Sequence, residues 1–399
     1  MPARRATRGR SLPVGYFLSP AGMDGGFFLI MAAMPFKVLA LGGGSVALGT
    51  IAAVGAASYI VAAPTIGRLS DRVPRRLLST AGAFSLVACA VAAWLVPWLE
   101  VLIGLQVLMG LGKALYWPPV QATIGDRTPP ADQGVVLGRF NLAWSTGKSL
   151  GFVVGGLLLS TAGFQATYLT GAGCVIAAAL TLPRERGPQT GAPGDEPTGP
   201  ATAPLPAAPA QPAALLAMSW LANTAAYGSF GILTYHLPQF FEHRGWQADL
   251  YGWYLGAILG SQTLLFWVLG RLNRVRWTEA RLWVPQLGHL AALVILPWLG
   301  GFAGLILTAP LVGLGCGVAY QASITASLQN PATRGQRAGI HEGLIGAGGF
   351  LPPLIAGVLV DRGLGLAAPY WFAAALVTVA IAGQVVLHRR ARRNPADRP

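Results

Sequence analysis

The sequence predicts an all-α integral membrane protein of about twelve transmembrane helices, arranged as two related, pseudo-symmetric six-helix bundles. Three observations predict it. The composition is apolar and poor in charge, apolar segments of membrane length recur along the chain, and motifs of the first half return in the second. Hydrophobic residues make up 53% of the 399 residues and charged residues 11%. Soluble domains carry about 25% charged residues. Mean hydropathy is +0.54. The 53 glycines and 30 prolines also suit membrane helices better than soluble ones.

The net charge of +14 does not indicate nucleic-acid binding, because the basic residues lie between apolar segments rather than on one soluble face. Cys89, Cys174 and Cys316 all fall inside apolar runs. An odd, scattered set of this kind implies neither a disulfide framework nor a metal site. The N-terminus begins basic and turns apolar, as a signal peptide does. The apolar run from Val14 to Leu41 is too long for one and contains Asp24. It reads as a first membrane helix that is retained.

A membrane helix needs about 20 mostly apolar residues. Segments that qualify fall near 14–40, 45–66, 77–96, 100–124, 134–160 and 164–182, then near 213–238, 249–269, 281–299, 302–326, 337–360 and 366–387. This divides the chain into a tail (1–13), an N-terminal bundle (14–182), a linker (183–212), a C-terminal bundle (213–387) and a basic tail (388–399). The linker is rich in Pro, Ala and Gly and has no apolar periodicity, so it cannot bury a core.

Arginines alternate from loop to loop. One set of loops and tails carries Arg4, Arg5, Arg8 and Arg10, then Arg68, Arg72, Arg75 and Arg76, Arg127, Arg184 and Arg186, Arg271, Arg274, Arg276 and Arg281, Arg334 and Arg337, and five more from Arg389 onward. The other set carries Arg244 and Arg362. The positive-inside rule therefore puts both termini and the linker in the cytoplasm, which requires an even number of spans.

The halves resemble each other in order. Gly67-Arg-Leu-Ser-Asp-Arg-Val follows segment 2, and Gly270-Arg-Leu-Asn-Arg-Val follows segment 8. Gly110 and Gly112 in segment 4 match Gly313 and Gly315 in segment 10. Gly138, Gly156 and Leu158 lie 201 residues before Gly339, Gly357 and Leu359. Transporters built from two such repeats bind substrate near the membrane midplane, between the repeats.

The loop Gly67-Arg-Leu-Ser-Asp71-Arg72-Val-Pro-Arg75-Arg76 is similar to the signature loop of the major facilitator superfamily, Gly-x-x-x-Asp-Arg/Lys-x-Gly-Arg-Arg/Lys. Pro74 stands where the pattern has Gly. The resemblance covers nearly all of the chain apart from the tails and linker. Gly67 is expected to let helix 2 end and the chain turn. The resemblance implies that Asp71 approaches the start of helix 11 and latches one conformation. A helix N-terminus attracts an exposed carboxylate by about 0.3–1 kcal/mol, enough to bias a two-state equilibrium without freezing it. Arg72, Arg75 and Arg76 either serve that latch or only enforce topology.

In segment 5, Gly138, Gly147, Gly151, Gly155 and Gly156 are spaced like the family's antiporter signature, with Phe152 in place of its proline. Two readings stand: a marker of exporters, or small residues that let helices pack closely. Pro352 and Pro353 occupy the equivalent region of segment 11.

Ionisable residues at membrane depth are costly and face a cavity or a partner. The three lysines, Lys37, Lys113 and Lys148, all fall in apolar segments. Lys37 is near a segment end, where it can snorkel to the headgroups. Asp24 lies about 15 Å along helix 1 and Lys113 about 16 Å from the corresponding end of helix 4. Their depths match. The resemblance implies that helices 1, 4, 7 and 10 line the central cavity, where these two charges either pair or exchange partners with substrate and proton. Lys148 lies about 21 Å up helix 5, with Trp144 at i−4 on the same face, offering a charge and a stacking plane. His341 and Glu342 near the cytoplasmic end of helix 11 are candidates for proton coupling together with Asp24; pairing of Glu342 with Arg274 or Arg337 is the alternative. Further cavity candidates are Tyr116, Asn223, Tyr227, His236, Tyr320 and Gln321. Trp94, Trp98, Trp298 and Trp371 read as interface anchors.

The expected function is secondary transport by alternating access, with a proton or other coupling ion, in the cytoplasmic (inner) membrane. The expected protein is a monomer in the lipid bilayer with no cofactor, metal or nucleic acid. No Gly-x4-Gly-Lys-Ser/Thr loop supports coupling to ATP. The glycine spacing of helix 5 favours efflux of small organic, drug-like compounds. Lys113 and Lys148 favour uptake or exchange of an organic anion or metabolite. A membrane enzyme would need a convergent catalytic set that five scattered histidines do not supply, and a membrane sensor would need a folded soluble domain.

Overall fold

A computed structural model describes residues 12–128, 133–184, 213–272, 277–328 and 334–393. Most of the linker, the extreme tails, Arg274 and Arg276 lie outside the described residues.

The helices are α1 (Gly15–Ala40), α2 (Ser45–Leu69), α3 (Arg75–Leu95) and α4 (Leu99–Arg127). A long helical run follows, Gln133–Thr181, interrupted at Gly163, whose φ of 77° takes it out of helical conformation. That left-handed geometry favours glycine, and it divides the run into α5 (133–162) and α6 (164–181). The second series is α7 (Ala213–His243), α8 (Ala248–Arg271), α9 (Glu279–Ile295), α10 (Phe302–Leu328), α11 (Arg334–Leu359) and α12 (Ala368–Arg393). Among the described residues, ten helical runs are long and apolar enough to cross a membrane. The break at Gly163 and the more polar α7 account for the two further spans.

Several helices outrun the apolar segments that announced them. α4 continues to Arg127 and α12 to Arg393. α2 runs through Gly67 to Leu69, and the Ser70 hydroxyl donates to the Gly67 carbonyl at 2.7 Å. Gly67 is thus inside the helix, contrary to the expected turn, and a serine satisfies the end of α2 instead. Pro74, at the signature's glycine position, caps α3: its carbonyl accepts from Leu77 and Leu78. Proline suits a helix start because no N–H is needed there.

Two apolar clusters hold the structure. One is built mainly from residues of α1–α6 around Ile30, Met34, Leu86 and Tyr168, the other mainly from α7–α12 around Leu233, Tyr254, Leu293 and Tyr370. Within the first, glycines bring backbones together. Gly147, Gly151 and Gly155 of α5 lie against Ala21, Gly25 and Leu29 of α1. Gly138 has open space beside it.

The two sets of helices meet along two seams. In one, Gly156 of α5 packs directly on Gly252 of α8, and the Ser149 hydroxyl donates to the Gly256 carbonyl at 2.8 Å. In the other, Gly49 of α2 lies against Pro353 of α11, and Gly357 lies against Ser45. The Ser45 hydroxyl also donates to the Gln239 side chain of α7 at 2.7 Å. Ser45, Gly357 and Gly156 belong to the end of the molecule remote from the loop Gly67–Arg76. That far end is therefore closed by backbone-to-backbone packing.

Candidate functional site

Between the seams, charged groups from α1, α4, α5 and α11 share one interior region. Asp24 of α1 is 5% exposed. One turn later α1 presents Phe27 and Phe28, with their rings edge-to-face at 5.0 Å. The Lys113 Nζ lies 4.6 Å from the Phe27 ring centre, 5.5 Å from Tyr59 and 6.0 Å from Phe28. The Lys148 Nζ lies 4.6 Å from Phe28, 4.8 Å from Phe230 and 5.9 Å from Tyr227. All are within the range of cation–π attraction. Phe28 is common to both ammonium groups.

Asp24 lies in the fields of both lysines, and Glu342 lies in the field of Lys113. No direct ion pair joins them. Ion pairs among the described residues include Arg75 with Asp71, Arg75 with Asp126, and His388 with Glu279, and none involves these four groups. The centre is thus a set of mixed charges held by rings and by long-range attraction, not a closed salt bridge. A Glu342–Arg337 pair is absent from that set as well.

Trp144 is not the stacking partner of Lys148. Its indole N–H donates to Asn141 at 3.0 Å, and its ring packs on Phe266 and Tyr320 at 6.2 and 6.0 Å. Tyr320 in turn contacts Tyr227 at 6.2 Å and His341 at 5.2 Å. His341 Nδ1 is 2.7 Å from the Ser323 hydroxyl and 3.5 Å from the Asn223 amide nitrogen, while its Nε2 and the Asn223 Oδ1 are buried without a partner. Tyr227, Tyr320, Asn223 and His341 therefore form a second layer beside the charges.

Other candidates are held elsewhere. The His236 Nε2–H donates to the Pro353 carbonyl at 2.8 Å, so this ring joins α7 to α11 at the far-end seam. The Gln321 amide reaches along its own helix to Thr325. The Tyr116 hydroxyl is bonded to Ser19 at 2.6 Å and is fully buried in a link between α4 and α1. Lys37 lies over the Phe164 ring at 5.4 Å. Asp71 is 72% exposed and 3.8 Å from Arg75, which bonds Asp126 more closely at 2.6 Å. Arg72 is exposed and Arg76 half-buried. In this conformation the expected latch carboxylate faces solvent. Among the described residues, no group of three His, Cys, Asp or Glu is placed to hold a metal.

Sequence reasoning missed the aromatic walls: Phe27, Phe28, Tyr59 and Phe230. Only the i+3 and i+4 spacing from Asp24 to Phe27 and Phe28 carried a signal, since it places all three on one face of α1.

Among solved structures, the chain resembles a bacterial homolog of the human lysosomal transporter Spinster in an inward-facing, occupied conformation. The TM-score is 0.69 at 15% identity, covering 94% of this chain and 96% of that one. It also resembles the peptide transporter POT in complex with sulfate, with a TM-score of 0.69 at 16% identity and 96% of each chain covered. In sequence it is 31% identical over 119 residues to the sphingosine-1-phosphate transporter SPNS2 of Xenopus tropicalis, covering 29% of this chain and 23% of that protein. It is 30% identical over 161 residues to a multi-drug resistance efflux pump PmrA homolog of Lactococcus lactis, covering 39% and 40%. The chain thus matches less than half the length of these relatives. The model of the Major Facilitator Superfamily matches residues 16–332. With its all-helical fold, that match establishes that the chain belongs to the Major Facilitator Superfamily.

Proposed function

We propose that the chain is a secondary active transporter that moves a small organic solute across the cytoplasmic membrane by alternating access, coupled to protons and operating in efflux. One observation carries the reading. Two carboxylates and two lysines from both halves of the chain share a ring-walled interior without closing into ion pairs. A permanent structural network would satisfy its charges, because an unpaired buried charge is costly. Charges left to exchange partners suit a site that takes up and releases ligand and proton.

The two bundles, 14–182 and 213–387, are the moving bodies of this proposal, with 183–212 linking them. Both termini lie in the cytoplasm, so the closed far end is extracellular and the conformation is inward-facing. Asp24, Glu342 and His341 carry proton coupling. The efflux direction draws support from the PmrA homolog, named as an efflux pump. A second reading, transport of an organic anion, is favoured by Lys113 and Lys148. The protein acts as a monomer and is not an enzyme.

The test is flux in proteoliposomes. A panel of drug-like fluorescent dyes is expected to move when a pH gradient is imposed, and Asp24→Asn is expected to lose that dependence. Failure of every dye to move, with or without a gradient, would refute transport of this class.

A further inference from the structure

Lys148 is 7% exposed, and among the described residues it has no hydrogen-bond or ion-pair partner. A buried ammonium without an acceptor is costly. Its Nζ is flanked by Phe28 of α1 and by Tyr227 and Phe230 of α7. These rings are contributed by both halves. Ring faces offset part of the desolvation, but they bring no formal charge.

Lys113 is better supplied. It lies in the fields of both Asp24 and Glu342. Lys148 has Asp24, which it shares with Lys113, and no second carboxylate. Lys148 is therefore the cation of the centre left short of negative charge. A ligand that brings an anion supplies what is missing. A cationic ligand meets two ammonium groups, and a neutral one leaves Lys148 uncompensated. The walls set the rest of the ligand, because Phe28 and Phe230 stand within 5 Å of the same Nζ. An anionic group at Nζ places any attached ring or apolar body against these two faces, where offset stacking is favourable.

We propose that Lys148 anchors the sulfonate, carboxylate or similar head of an amphipathic aromatic anion, whose apolar body rests between Phe28 and Phe230. This rests on the transport reading above and names its substrate class. Lys148, not Lys113, is the residue that sets selectivity for charge.

The full chain in lipid nanodiscs is titrated by equilibrium dialysis with three probes that share one ring system: naphthalenesulfonate, neutral naphthalenemethanol and cationic naphthylmethylammonium. The sulfonate is expected to bind about tenfold or more tighter than the other two. Lys148→Gln should lose that preference while binding the neutral probe at least as tightly as wild type, since no uncompensated ammonium is left beside it, and a sharp thermal unfolding transition shows that the variant is folded. Lys148→Arg should retain most of the preference. Equal binding of the three probes, tighter binding of the cation, no binding of any, or wild-type sulfonate affinity in Lys148→Gln overturns the proposal. Dye flux driven by a pH gradient is measured on the same preparations. Intact flux with a failed sulfonate titration removes the substrate class alone, whereas absent flux removes the transport reading beneath it.

Discussion

A methyl group added at Gly252 of α8 tests whether the α5–α8 seam is a moving contact. An ideal Cβ there would lie 2.5 Å from the Phe152 carbonyl oxygen and 2.9 Å from the Gly156 Cα. Ordinary contact begins near 3.4 Å, so the two helices must retreat by about 0.9 Å. Both obstructing atoms are backbone, and α5 is itself backed by α1 through Gly151 and Gly155. No side chain can turn aside to absorb the clash. Overpacking of this kind costs about 1–3 kcal/mol. In a conformation with the far end open, the two glycines no longer face each other and the cost vanishes. Gly252→Ala should therefore shift the equilibrium toward that conformation by about 5- to 150-fold. The readout is cross-linking of Ser45→Cys to Gln239→Cys with a short bifunctional thiol reagent, after Cys89, Cys174 and Cys316 are replaced by Ala. The parent residues are bonded across the far end at 2.7 Å. From equal populations of the two conformations, that shift lowers the closed fraction, and with it the initial cross-linking rate, by about 3- to 75-fold. Gly104→Ala, whose Cβ meets nothing within 4 Å, is the control. Glycine-to-alanine exchange in a helix interior is otherwise stabilising by about 1 kcal/mol, so Gly104→Ala should not lower the melting temperature, and a loss in Gly252→Ala larger than the overpacking cost would mark general damage instead. An unchanged cross-linking rate in folded Gly252→Ala would refute the seam as a moving contact.

Three further outcomes are expected. Gln286 of α9 and Gln384 of α12 exchange two buried amide hydrogen bonds of 3.1 and 2.9 Å; Gln286→Leu alone should destabilise by about 1–3 kcal/mol, and adding Gln384→Leu should recover most of it, as read by thermal unfolding. Asp71→Asn should leave thermal stability within about 1 kcal/mol, because its exposed pairing with Arg75 is worth little, yet it should slow flux by removing the latch; unaltered flux would exclude the latch role. Glu342→Gln should abolish the pH dependence of flux and leave counterflow intact; preserved proton coupling would exclude Glu342 as the carrier.

The spans were legible because a bilayer leaves only helices as apolar chain of that length. Their ends were not. Hydropathy falls at the first arginine or histidine, whereas the backbone stays helical to Leu69, Arg127, His243 and Arg393. Long basic side chains reach the interface from inside a helix, so charge does not stop it. The centre was half legible. Asp24, Lys113, Lys148 and Glu342 are conspicuous as charges in apolar segments. Their surroundings were not, because in lipid an aromatic residue is equally apolar on every face of a helix. Nothing in periodicity separates Phe28 and Phe230, which wall the centre, from Phe84, which is 58% exposed on the outside. Trp144 shows the opposite error: i−4 spacing put it beside Lys148, but the asparagine at 141 and the rings of α8 and α10 hold it away.

The glycine pattern of helix 5 carried two readings, and its geometry favours packing while giving that packing two distinct faces. Gly147, Gly151 and Gly155 fix α5 to α1 within one half, and Gly156 meets α8 of the other. Phe152, where the related pattern has proline, is fully buried between them. Its ring touches Phe28 at 5.3 Å and Tyr251 of α8 at 6.1 Å. Phe28 is the ring shared by both lysines. A ligand head at Lys148 and the glycine contact that closes the far end are thus two turns apart on one helix, joined through Phe28, Phe152 and Tyr251. Close-packed rings of this kind shift between discrete arrangements rather than deform. Proline at this position would leave the space between Phe28 and Tyr251 unfilled, and phenylalanine fills it. The departure from the family pattern therefore has a physical role in this chain: it supplies a packed link between the charged centre and the seam.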